Sequence, residues 1–207
     1  MMKTNRRIDI IDLSIAGCLA IVPLVMIQDG MSEEVLRILA RATAHLSFIF
    51  FASGFFATTL DRWFPGRASR WLVFHRRRLG LAFAYLHASH MVVVAFLAAL
   101  GADLGVSRYS VGWPALFLVL LMALTSNDTS QRRLGVVWKR LHVFGGYLIA
   151  YVFGLSLLPS ITESFVSLIL FVMVLIGIVL RTARRTMDAR RTRLTCTPLR
   201  ETKESTS

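Results

Sequence analysis

One tetrapeptide occurs twice in this chain, and each copy leads to a histidine. Arg77-Arg78-Leu79-Gly80 is followed, six positions after the glycine, by Leu86-His87; Arg132-Arg133-Leu134-Gly135 is followed at the same spacing by Leu141-His142. Each copy runs from a basic cluster into an apolar stretch. If both stretches cross a bilayer as helices entering from the same side, the two histidines lie at one depth. That depth is about 10 Å beyond the glycine, at about 1.5 Å of rise per residue. Two imidazoles at matched depth on parallel helices suit the two axial positions of one haem iron. With both positions filled, the iron carries electrons and has no open site for oxygen.

Composition agrees with a bilayer setting. Of 207 residues, 55% are hydrophobic and the mean hydropathy is +0.60, against roughly 45–50% apolar residues in soluble domains. The net charge of +12 does not point to nucleic acid, because the cations sit in short clusters between apolar blocks, where they set orientation in the membrane. Cys18 and Cys196 are far apart and on no metal-like spacing, so neither a disulfide framework nor a zinc site is expected. No Gly-rich phosphate loop is present, so NAD(P)H or ATP binding by the usual motifs is not expected.

Six apolar segments are expected to span the membrane: 11–27, 42–60, 79–100, 111–126, 136–158 and 161–180. Most reach the roughly 17–25 residues that cross the hydrocarbon. The first has a basic lead, as a signal peptide would, but no small-residue cleavage site follows it, so it reads as an uncleaved span. Counting Lys and Arg by loop gives 21 on one side and 3 (Arg37, Arg41, Arg108) on the other. The positive-inside rule then places both termini in the cytoplasm of a multi-pass inner-membrane protein. The fold class is all-α: a six-helix unit over residues 1–180. The basic, polar tail 181–207 has few apolar residues and is expected to be disordered beyond about one helical turn. In this topology the third and fifth segments both run outward, as the repeated motif requires.

Ionisable residues inside spans are costly and mark functional candidates. His87 and His142 are the leading pair of haem ligands. His90, one turn beyond His87, is a weaker candidate that more often bonds across helices, and His45 is a candidate for an outer site. His75 precedes the arginine cluster and reads as solvated. Arg78, Arg133 and Arg140 are placed to pair with haem propionates, although fixing topology explains each equally well. The aromatic run Phe48, Phe50, Phe51, Phe55 and Phe56 reads as lining either a cofactor pocket or, more commonly, the lipid boundary. The same two readings apply to Trp138, Tyr147 and Tyr151. The aliphatic run from Leu168 to Leu180 is expected to face lipid and carry no chemistry.

Residues 77–87 (RRLGLAFAYLH) and 132–142 (RRLGVVWKRLH) resemble the ferric reductase-like transmembrane domains. Within these the chain looks most like the haem-binding membrane subunits of bacterial periplasmic methionine sulfoxide reductase systems, over roughly residues 40–160. The resemblance implies haem b, at least one per chain. It implies electrons received from a cytoplasmic flavin reductase or quinone and passed to a periplasmic acceptor protein. The sequence departs from the family pattern in the fifth segment, where a further histidine is common but Leu155 stands here. The third segment offers only Leu100 at the equivalent depth. Two other readings fit the residues alone: a small transporter moving metal ions or protons through intramembrane histidines, and a haem-free structural subunit.

Overall fold

Ser32 opens the first described helix. Its hydroxyl accepts from the Val35 amide at 3.4 Å, two glutamates follow in the first turn, and Arg37 pairs with Glu33 at 2.7 Å. Each of these favours a helix N-terminus. The computed structural model describes residues 32–103, 106–160, 162 and 164–196, with the side chains of 106–110, 160 and 188–196 excepted. The expected span 11–27 lies outside the described residues.

Among the described residues six α-helices follow one another: α1 Glu33–Trp63, α2 Arg67–Ala99, α3 Val106–Leu124, α4 Asp128–Leu134, α5 Val136–Leu157 and α6 Phe165–Cys196. A short 3-10 turn, Leu158–Ser160, ends α5. The breaks have local causes. Pro65 disfavours helix at Phe64, and Gly66 then caps α2. Asn127 accepts from the Ser130 amide at 2.7 Å and starts α4. Gly135 ends α4 and starts α5 with φ +48°, a backbone region that side chains other than glycine's rarely enter.

Among the described residues, four helices (α1, α2, α5 and the Phe165–Met187 part of α6) are long and apolar enough to cross a membrane. A fifth span is possible if α3 and α4, bent by 99° at their junction, count as one. This is a multi-pass architecture. At 31 and 33 residues, α1 and α2 are each longer than the roughly 20 residues that cover about 30 Å of hydrocarbon. Two expectations are corrected here. The span expected to begin at 79 belongs to a helix that starts at Arg67. The tail from 181, expected to be disordered beyond about one helical turn, continues as helix to Cys196. In the tail, arginine, threonine and methionine are acceptable helix formers, and α6 simply carries its last turns past the apolar run.

The helices close a ring: α1 packs on α2 and α6, α2 on α3, α3 on α5, and α5 on α6. Inside the ring lies an aromatic core. Phe48, Phe51, Phe55 and Phe56 are buried. Phe51 meets Phe55, Phe83 and Phe153 at ring centroids of 5.0, 5.2 and 5.5 Å, and Phe48 meets Phe153 at 5.3 Å. The lipid-boundary reading of these phenylalanines is therefore corrected: positions 48, 51, 55 and 56 fall on one helical face, and that face points inward. On α6 the outward expectation holds for Ile169, Val172, Ile176 and Val179, all exposed, whereas Leu170 and Val174 pack into the core.

Candidate cofactor site

The repeated motif folds in two different ways. In the first copy ten residues of helix precede Arg77, and Gly80 lies in a helix interior. In the second copy the arginines belong to the seven-residue α4 and the glycine is a helix break. Arg77 of the first copy pairs at 2.8 Å with Asp128, at the start of the α4 that leads into the second.

This difference moves the histidines out of register. His142 lies close enough to Arg76 for their charges to interact. His87 instead meets Phe153 on α5, with ring centroids 6.1 Å apart. Phe153 is eleven positions after His142, and His87 is eleven after Arg76, so along either helix the histidines are about 16 Å apart. The helices are parallel, as expected, but the matched depth is not found. His87 and His142 therefore do not flank a single iron in this structure.

His87 packs among Phe83, Phe153 and His90, whose ring lies at 5.9 Å, and its Nδ1 is buried with no hydrogen-bond partner among the described residues. His90 is tied across the helix pair: its Nδ1 donates to the Ala40 carbonyl at 3.0 Å and lies 3.2 Å from the Thr43 hydroxyl. This is the cross-helix bonding weighed against ligation for His90. His45 is half-buried on α1 near Arg41. His75 is half-buried, with Nδ1 donating to the Trp71 carbonyl at 2.9 Å.

His142 borders a half-open cavity of about 1030 Å³ between the helices of the ring, at the upper end of the range for small-molecule sites. Phe51, Phe55, Phe83 and Ile149 form its apolar walls, and Arg76, Arg77, Lys139, Arg181, Arg184 and Arg185 its basic end. The imidazole stacks on Trp138 at 4.1 Å, and Trp138 donates to the Thr125 carbonyl at 2.9 Å. Both ring nitrogens of His142 face carbonyls, Nδ1 that of Trp138 at 3.1 Å and Nε2 that of Met122 at 3.2 Å. A neutral imidazole has a single N–H to donate. If Nδ1 donates to Trp138, the Nε2 lone pair is left facing an oxygen. An imidazolium would donate to both carbonyls; as a neutral ring, Nε2 takes an electrophile only where the Met122 carbonyl turns aside, and Nδ1–H on a carbonyl is the usual way a ligating histidine is oriented.

The propionate candidates fare differently. Arg78, Arg133 and Arg140 are not among the cavity-lining residues, whereas Arg76 and Arg77, exposed like them, line it. On α2, Arg76 shares a face with Leu79, Phe83 and His87 and points inward, while Arg78 is turned away. Sequence reading missed Arg181. It sits just beyond the aliphatic run, is only 6% exposed, donates through Nη1 to the Phe55 carbonyl, and stands 3.8 Å over the Phe55 ring. Arg184 donates to the Thr58 carbonyl at 2.8 Å. The signal was the spacing 181, 184, 185, which places three arginines on one helical face. No protein-family model and no solved structure matches this chain. Among the described residues, no group of three or more His, Cys, Asp or Glu is placed to hold a metal ion.

Proposed function

We propose that this is a b-type haem membrane protein that relays electrons, with the haem seated in the basic-end cavity and His142 as its protein ligand. The observation that carries the reading is the meeting, in one cavity, of an imidazole oriented by stacking on Trp138, aromatic walls and a basic end. Haem, when bound, supplies a one-electron iron couple. Trp138 fixes the plane of His142 and its carbonyl holds the Nδ1 proton. The phenylalanine walls exclude water, and Arg77 and Lys139 at the basic end balance carboxylate charge. The resemblance of the repeated motif to ferric reductase-like domains supports the same reading. So does the charge count, which puts the basic end in the cytoplasm, facing a flavin or quinone donor, with an acceptor on the far side.

This reading differs from a two-histidine clamp in what it predicts. Purified protein should show a Soret band that shifts on dithionite reduction. His142→Ala should lose most of it, and His87→Ala should keep it. A band that survives His142→Ala but is lost in His87→Ala overturns the site. A colourless protein that carries zinc or copper, or moves protons in vesicles, favours the transporter reading.

A further inference from the structure

Arg76 and Arg181 are held in the ring by hydrogen bonds to backbone carbonyls of α1. Arg76 donates to Gly54 at 3.1 Å, and Arg181 to Phe55. The charged groups acting on Arg76 include Arg184 and Arg185, and those acting on Arg181 include Arg76 and Arg185. Arg185 also lies 5.2 Å from the Tyr147 ring, beside Arg181 at 5.4 Å. Four guanidinium groups from two helices thus converge on one end of the cavity. Carbonyls and aromatic rings offset part of the charge; Arg181 is buried, whereas Arg76 and Arg185 reach the surface, so the cluster has a fixed base and a side that an anion can approach. Guanidinium groups match the oxygens of phosphate by forked, charge-assisted hydrogen bonds. The walls above the cluster are apolar, and the cluster lies where α6 leaves its aliphatic run, the level of a lipid headgroup.

We propose that Arg76, Arg181, Arg184 and Arg185 form a phosphate site, filled by the headgroup of an anionic phospholipid from the adjoining leaflet or by a phosphate from the aqueous side. The site does not depend on the haem reading. Delipidated full-length protein in neutral detergent is titrated with phosphatidylglycerol or with inorganic phosphate over a phosphatidylcholine background, and the melting midpoint is followed. The midpoint should rise to saturation. In Arg76→Gln and Arg185→Gln the half-saturating concentration should increase by at least about tenfold, as expected for losing a charge-assisted hydrogen bond. Arg78→Gln, outside the cavity, should titrate like wild type. Because Arg181 is buried and its loss threatens folding, the test rests on the other two positions.

A response to phosphatidylglycerol alone identifies a lipid headgroup. A response to inorganic phosphate, alone or with the lipid, identifies a site open to soluble phosphate. No response to either, or equal titration in wild type, Arg76→Gln and Arg185→Gln, overturns the proposal. Soret absorbance of the same samples reports haem separately: a phosphate response without a Soret band leaves this site standing and sinks the haem reading.

Discussion

Gly177 on α6 faces the ring of Phe56 so closely that an added Cβ would overlap it, whereas at Gly154 the nearest atom, a Val174 methyl, is 4.0 Å from where a Cβ would stand. Phe56 is buried against Phe55, with ring centroids 4.9 Å apart, and has little room to turn aside. Gly177→Ala should therefore destabilise the protein by about 1–3 kcal/mol, seen as a lower thermal midpoint, while Gly154→Ala should change it little. Equal midpoints for the two variants would show that α6 and α1 are less tightly packed than described. The same scale governs the histidines. Sequence spacing identified His142 as a candidate and gave the bland alternative for His90. It could not reveal which carbonyls each ring meets, because those come from helices distant in sequence. Arg181 escaped for a related reason: an arginine at the end of an aliphatic run reads as an interfacial anchor until tertiary packing turns it inward.

At the scale of elements, the two copies of Arg-Arg-Leu-Gly make an internal control. Gly80 lies in a continuous helix with no atom within 4 Å of an added Cβ, and Gly135 has φ +48°. Replacing an unstrained helical glycine by alanine stabilises by about 0.5–1 kcal/mol. The same change at a left-handed position costs about 1–2 kcal/mol. Gly80→Ala should raise the thermal midpoint and Gly135→Ala should lower it. If both shifts have one sign, the copies share a conformation and the histidine register must be redrawn. The apolar blocks were legible as helices because their length and composition demand it. Their starts were not, since Arg67–Arg78 is polar enough to look like loop yet is built as helix upon Gly66. That extension, matched in the second copy only by the short α4, is what shifts His87 about 16 Å past His142.

For the whole molecule, the ring of helices divides into an aromatic half and a hollow basic half, and the charge distribution orients it. If the positive-inside rule sets the orientation and the arginine-rich end is cytoplasmic, a C-terminal fusion to a phosphatase active only outside the cytoplasm should be inactive, and one to a fluorescent protein that matures only inside should glow. The opposite pattern would reverse the direction of electron flow proposed above. The membrane class was readable from hydropathy and charge alone. The hollow was not, because it arises from the way Phe55, Met122 and Trp138, far apart in sequence, share one interior. The 32 residues of α6 form a rod of about 48 Å, longer than the hydrocarbon is thick. It is pinned to α1 where Arg181 and Arg184 meet Phe55 and Thr58. Sliding by one residue would swing those side chains by about 100° and break both bonds. The rod thus has a fixed height, and any force on its free end acts as a lever on the arginines at the fulcrum.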